Sequence, residues 1–306
     1  MIRVLDTTTR IIIPPMNTQV INSLSKSLRG QETLFRTDPS QPSAEDIFKR
    51  ERHNRPALIC EGDSWFRNPT RWATIPEFLR QDTLGDYSYR FAVLNRASPG
   101  DTAEDILNGL GRVYDDVKKY QPQGFLLSAG GNDLLAPDNL RAILRERTGT
   151  SDFFNENEWK SFEERLGNYY VKILTSINSA SPGMPMFLHG YDYPHASGKG
   201  IGLGRLQVGP WLYPVIVKEK GYTLATEQKT LIRETVVRFE SIQKGVIKLL
   251  KEWGRSQNIR FSLHHINLRG TVPDVKEWGD EIHPKTPANK RLAAKVKAAI
   301  HKVISP

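Results

Sequence analysis

Four short blocks, widely separated along 306 residues, hold the side chains best suited to chemistry. Gly62-Asp63-Ser64-Trp65 follows the apolar run Pro56-Ala57-Leu58-Ile59-Cys60. Later come Ala97-Ser98-Pro99-Gly100-Asp101-Thr102, Ala129-Gly130-Gly131-Asn132-Asp133 and Asp280-Glu281-Ile282-His283-Pro284. A serine hydroxyl is a weak nucleophile near neutral pH, so acyl transfer needs a base within reach, a group that orients the base, and donors aimed at the developing oxyanion. Ser64 is the candidate nucleophile, His283 the candidate base that later protonates the leaving alcohol, and Asp280 the candidate orienting carboxylate. The spacing between Asp280 and His283 lets one short loop carry both side chains.

In this order the four blocks resemble those of the SGNH hydrolases, the GDSL-type esterases and lipases. The resemblance runs in block order over about residues 56 to 300, although its specific part is confined to the blocks. It implies a serine esterase on a three-layer α/β/α sandwich with a central, mostly parallel sheet, the flavodoxin-like arrangement of that superfamily. It also implies an oxyanion hole made from the backbone N–H groups of Ser64 and Gly100 and the side-chain amide of Asn132. Two positions depart from the family pattern: Trp65 stands where the name-giving leucine usually is, and Asn289 replaces a glycine often seen after the His-Pro pair. The order Ser, Asp, His argues against chymotrypsin-like and subtilisin-like proteases, and the missing Gly-x-Ser-x-Gly elbow excludes an α/β-hydrolase.

Each residue also has a structural alternative. Gly-Asp-Ser and Gly-Asn-Asp are common turn sequences, Gly100 suits a turn after Pro99, and Asn132 could cap a helix. His189, Asp192, His195, His264 and His265 could ligate a metal, but none has the His-Glu-x-x-His spacing, so no metal and no cofactor are expected. Trp65, His189, Tyr191 and Asp192 are the candidates for lining a substrate pocket, while Trp72, Tyr193, Trp211 and Tyr213 add flat aromatic surfaces near the expected active-site loops. The expected partner is a small-molecule or carbohydrate ester with a short acyl group. An acyltransferase, lysophospholipase or thioesterase with the same Ser-His-Asp site and a non-catalytic binding protein on the same fold stand as alternatives.

The composition bounds these readings. The chain carries 43 Lys+Arg against 34 Asp+Glu, a net charge of +9. The basic residues are mixed with acids, and no zinc-finger spacing or RNA-binding aromatic signature accompanies them, so a solvated surface is expected and no nucleic acid. Cys60 is the single cysteine and fits buried filler. The apolar patch Ile11-Ile12-Ile13 is cut by Pro14-Pro15, too short for a signal or a membrane span, which makes a cytoplasmic location the default.

The elements that must position these residues follow from periodicity. Residues 1–55 read as a partly irregular N-terminal extension, with the tract 36–43 a loop, and residues 56–306 as the hydrolase domain with insertions near 134–183 and 189–222. Strands are expected near 56–61, 89–95, 124–128, 184–188 and 259–263, with helices near 74–82 and 102–118 and a further helix through Phe162, Leu166, Tyr169, Ile173 and Ile177. A long helix is expected over 223–253, ended by Gly254, and a last one after Pro284 with Leu292, Val296 and Ile300 on one face. The alternating glycines of Gly198-Lys199-Gly200-Ile201-Gly202-Leu203-Gly204 fit neither dinucleotide nor phosphate fingerprints and read as a flexible loop. Alternating strands and helices argue for a parallel sheet covered on both faces.

Overall fold

A computed structural model of the protein describes residues 43–68, 70, 72–81, 91–149, 152–203 and 206–304. At its centre lie β1 (Ala57–Gly62), β2 (Ala92–Asn95), β3 (Gly124–Ser128), β4 (Pro185–His189) and a later strand, Ser262–Ile266, in the order β2-β1-β3-β4 with Ser262–Ile266 at the far edge, every pair parallel. Every residue of β1 and β3 is buried, as a parallel strand covered on both faces requires. Successive side chains point to opposite faces, and the core divides accordingly. Ile59, Phe125, Leu127, Met186 and Leu188 join one cluster, whereas Leu58, Cys60, Leu126 and Phe187 join the other.

The first cluster is covered by α1 (Ala44–Glu51), α3 (Ala103–Asn108), α4 (Leu110–Tyr120), α7 (Glu156–Ala180) and α8 (Ala225–Ser256). The second is covered by α2 (Ile75–Gln81) and α9 (Thr286–His301), whose Leu292, Val296 and Ile300 are buried as the spacing predicts. Helices on both faces of a parallel sheet give three layers. Two short helices, α5 (Gly131–Leu135) and α6 (Pro137–Ile143), follow β3. Among the described residues no helix is long and apolar enough to cross a membrane.

The structure corrects several expected boundaries. The helix expected over 102–118 is two, because Gly109 closes α3 and precedes α4, and glycine is a poor helix former. Gly254 does not end α8, which continues to Ser256; a Cβ on Gly254 would lie 2.5 Å from the Ile259 carbonyl, so glycine there permits close chain approach. The turn comes instead at Asn258, with φ of 55°. The last strand, numbered β7, is shifted to Ser262–Ile266 and includes His264 and His265. The glycine-rich stretch is no simple loop: β5 (Ile201–Leu203) and β6 (Leu206–Val208) pair antiparallel, and a π-helical turn, Pro214–Glu219, follows. Within the expected N-terminal extension, α1 is helical and Phe48 is fully buried in the core. Residues 1–42, with most of the 36–43 tract, and the start of the strand expected near 89 lie outside the described residues.

Candidate active site

Strand β1 ends at Gly62, where φ is 153° and a Cβ would lie 2.3 Å from the Ser128 carbonyl oxygen. Only glycine fits this approach of β1 to β3. The chain then turns through Asp63, whose N–H donates to the Ser128 carbonyl at 3.0 Å. The Asp63 carboxylate accepts from Ser128 Oγ at 2.7 Å, from the Trp65 N–H at 3.0 Å and from the Tyr191 hydroxyl. These bonds fix the loop that presents Ser64. Burial nevertheless pushes the Asp63 carboxyl up from its ordinary range.

Ser64 Oγ lies 2.7 Å from His283 Nε2, and His283 Nδ1 lies 2.8 Å from Asp280 Oδ2. A carboxylate accepts only, so Nδ1 carries the proton and Nε2 is left to accept from the serine hydroxyl. The other carboxylate oxygen, Asp280 Oδ1, accepts the N–H groups of Ile282 and His283, both at 2.8 Å. The three residues are 6%, 3% and 2% exposed, so bulk water is largely excluded from their hydrogen bonds. Trp65 gains a role at this point: its indole Nε1 donates to the Ile282 carbonyl at 3.1 Å and ties the serine loop directly to the histidine loop. A leucine could not make this bond. Asn289, the other departure from the family pattern, is buried and its amide donates to the carbonyls of Ala73 and Pro284.

The remaining blocks meet the same region. Ser98 N–H donates to the Gly62 carbonyl at 2.8 Å and anchors the loop carrying Gly100, which has φ of 90° and is exposed. Asn132, at the start of α5, donates from Nδ2 to the Asp101 carbonyl at 2.9 Å and lines the same cavity as Ser64. This cavity is walled mainly by Trp65, Leu134, Leu135, Tyr191, Val236 and Phe239. Gly100 is not among its walls.

Of the four pocket candidates, Trp65, Tyr191 and Asp192 border the cavity and His189 does not. Asp192 borders the cavity, but its carboxylate is taken by the N–H groups of Tyr193, Gly270 and Val272 at 2.8, 2.6 and 2.6 Å, so it pins loops together. His189 does not line the cavity. It packs behind Trp65 and Phe66, with Nδ1 on the Gly190 carbonyl, and burial lowers its pKa to about 4. The other histidines are also dispersed: His264 stacks on Phe187, His265 bonds Gln243, and His195 meets Trp278. Among the described residues no three His, Cys, Asp or Glu side chains are grouped to hold a metal. Cys60 is buried, and burial raises its thiol pKa far above the ordinary range.

Two features escape the sequence. Val236 and Phe239 lie on the buried side of α8 at core-like spacing, yet they wall the cavity. Glu61, in β1 three residues before Ser64, is pushed up to about 8, first by burial and then by Asp101, while the Gly62 N–H opposes this. Its ordinary value is 4.5, so between about 4.5 and 8 the unfolded chain releases a proton that the folded chain keeps. Stability contributed by protonated Glu61 is full below the lower value and lost as pH rises through the upper one. Urea unfolding at intervals from pH 5 to pH 9 should therefore show stability falling with pH, and Glu61→Gln should flatten that slope. An equal slope in both proteins would refute the assignment.

No protein-family profile matches the chain, and no curated protein matches it. Solved structures do. A lipase, Lip_vut3, from a goat rumen metagenome aligns with a TM-score of 0.51 at 13% identity, covering 80% of this chain and 97% of that one. An extracellular lipase from Streptomyces rimosus gives 0.49 at 11% identity, covering 80% and 99%. A Clostridium thermocellum family 3 carbohydrate esterase gives 0.47 at 12% identity, covering 82% and 97%. At such identities the likeness bears on architecture alone. With its five parallel strands, its layered helices and the ends of β1 and β3 meeting the loop after β7, the chain has the fold of the SGNH hydrolases, the GDSL-type esterases and lipases.

Proposed function

We propose that the protein is an ester hydrolase that works through a seryl acyl-enzyme, on esters joining a short acyl chain to a polar alcohol or carbohydrate. The observation that carries this reading is the continuous hydrogen-bonded line Ser64, His283, Asp280 opening onto an apolar cavity. Ser64 Oγ attacks the ester carbonyl as His283 Nε2 takes its proton. Asp280 holds the imidazole in the required tautomer and stabilises the imidazolium. The oxyanion is met by the N–H groups of Ser64 and Gly100 and by the Asn132 amide. Nε2 then returns the proton to the departing alcohol, and water resolves the acyl-enzyme by the same steps in reverse roles.

The walls Leu134, Leu135, Val236 and Phe239 support an alkyl acyl group and offer it no charged partner. Each methylene buried contributes about 0.8 kcal/mol, so kcat/KM should climb up to roughly fourfold per carbon from acetyl until the cavity is filled, then fall. The test is a p-nitrophenyl ester series on purified protein with EDTA present, together with labelling by a fluorophosphonate and peptide mass mapping. Turnover with label on Ser64 is expected. No turnover of any chain length, or label on another residue, would overturn the proposal; an added acceptor alcohol that diverts most product to a new ester would replace hydrolysis by acyl transfer.

A further inference from the structure

The cavity accounts for one side of the ester only. During acylation the Ser64 Oγ–carbonyl bond forms, the carbonyl–alkoxy bond breaks, and the proton moves from Oγ to Nε2 and on to the departing alkoxy oxygen. That oxygen must lie within hydrogen-bond reach of His283, so the rest of the alcohol must lie beside the imidazole, away from the apolar acyl walls. What borders the imidazole there is Trp211: the two rings stand nearly perpendicular, with centroids 5.5 Å apart and planes at 81°. Trp211 is half-buried and is not among the walls of the acyl cavity. Its ring lies over Gly209, where a Cβ would come within 2.6 Å of it, so the indole is held in place from below.

Trp211 is carried on a strap that is fastened to the catalytic loop by one side chain. Glu281, fully buried between Asp280 and His283 in sequence, accepts four backbone N–H groups: Gly198 at 2.9 Å, Trp211 at 2.6 Å, Leu212 at 2.6 Å and Tyr213 at 3.1 Å. Its own backbone adds two ties, from His195 N–H to the Glu281 carbonyl and from Glu281 N–H to the Lys199 carbonyl. A buried carboxylate is costly unless its lone pairs are filled, and here the chain on either side of the β5–β6 hairpin fills them. One carboxylate thus joins both legs of the hairpin to the segment that bears the acid and the base.

We infer that Trp211 is the platform for the departing alcohol, that the alcohol it favours presents a flat or apolar ring face such as an aryl group or a sugar ring, and that Glu281 is the positioning residue holding this platform against His283. The inference rests on the ester-hydrolase reading of the same site. A ring stacks on indole, whereas a methyl alcohol leaves most of it uncovered.

The test uses butyryl esters of methanol, benzyl alcohol, p-nitrophenol and glucose, with acylation and deacylation rates separated by pre-steady-state kinetics. All four esters give the same butyryl-enzyme, so deacylation cannot sense which alcohol has left. In Trp211→Ala, kcat/KM for the ring-bearing esters should fall at least tenfold relative to the methyl ester, the fall confined to acylation, and Trp211→Phe should restore most of it. Glu281→Gln exchanges an acceptor oxygen for a donor among the four N–H groups. It should shift the same ratio in the same direction, and the double variant should shift it no further than the larger single change. Equal losses for all alcohols with deacylation slowed as much would mean that both residues merely support His283, and would overturn the inference. So would an unchanged ratio in Trp211→Ala, which is read independently if Glu281→Gln fails to fold. Failure of the underlying reading is distinct: it is full activity in Ser64→Ala, whatever the alcohol ratios show.

Discussion

Ser64→Ala lowers kcat by at least about a thousandfold and leaves the protein folded. The size follows from the way a nucleophile and its base act as a unit, so that removing one strands the other. Folding is spared because Ser64 is not what fixes its own loop. That work falls to Asp63, with its bonds to Ser128, Trp65 and Tyr191, and to the Trp65 indole on Ile282; alanine disturbs none of them. The measurement is kcat on a p-nitrophenyl ester beside the thermal unfolding midpoint of both proteins. Retained turnover, or activity abolished by EDTA and restored by zinc, would point to a different nucleophile.

Asn132→Ala should cost a further distinct kind of activity, on the order of 100- to 1000-fold in kcat, or roughly 3 to 4 kcal/mol of transition-state stabilisation. The side-chain nitrogen has two hydrogens, and one is spent on the Asp101 carbonyl. On the proposed mechanism that bond holds the amide while the second hydrogen meets the oxyanion, whose charge grows only as the carbonyl becomes tetrahedral. The loss therefore belongs in kcat and not in KM. A change in KM alone would make Asn132 a contact of the bound ester. A fall in unfolding temperature with unchanged kinetics would make it a structural tie between α5 and the loop at Asp101, where loss of one hydrogen bond costs about 1 kcal/mol.

The parts of this molecule that could be read from sequence are those governed by local rules. Fully apolar runs such as Leu58-Ile59-Cys60 and Phe125-Leu126-Leu127 are strands because both faces are covered, and the stripe from Phe162 to Ile177 is a helix because its spacing leaves one face apolar. That Ser64, Asp280 and His283 meet was legible because reactive types stand in a fixed order. What could not be read depends on partners remote in sequence. His264 and His265 look wrong for a strand until Phe187 and Gln243 supply a stacking face and a hydrogen-bond partner. Gly254 looks like a stop signal until Ile259 folds back onto it. Asp192, just after β4, and His189, at its end, stand where pocket residues are expected, but the first is claimed by backbone at Gly270 and Val272 and the second is shut behind Trp65. Glu281 carries no motif signal, since its four partners lie 68 to 83 residues earlier.

The bond between Ser64 and His283 closes 219 residues of chain, and the indole bond from Trp65 to Ile282 closes 217. Thermodynamically such distance is cheap, because each doubling of a loop adds only about 0.6 kcal/mol of closure entropy. In time it is not. Protein synthesis runs from the N-terminus, so Ser64, Asn132 and the strands that present them leave the ribosome well before the loop that supplies acid and base. Throughout that interval Ser64 is an ordinary alcohol. A chain interrupted between Phe239 and Asp280 carries Gly100, Asn132 and the apolar walls Leu134, Leu135, Val236 and Phe239 but no partner for the Ser64 hydroxyl, so on the proposed mechanism reactivity switches on only when the far end of the chain docks.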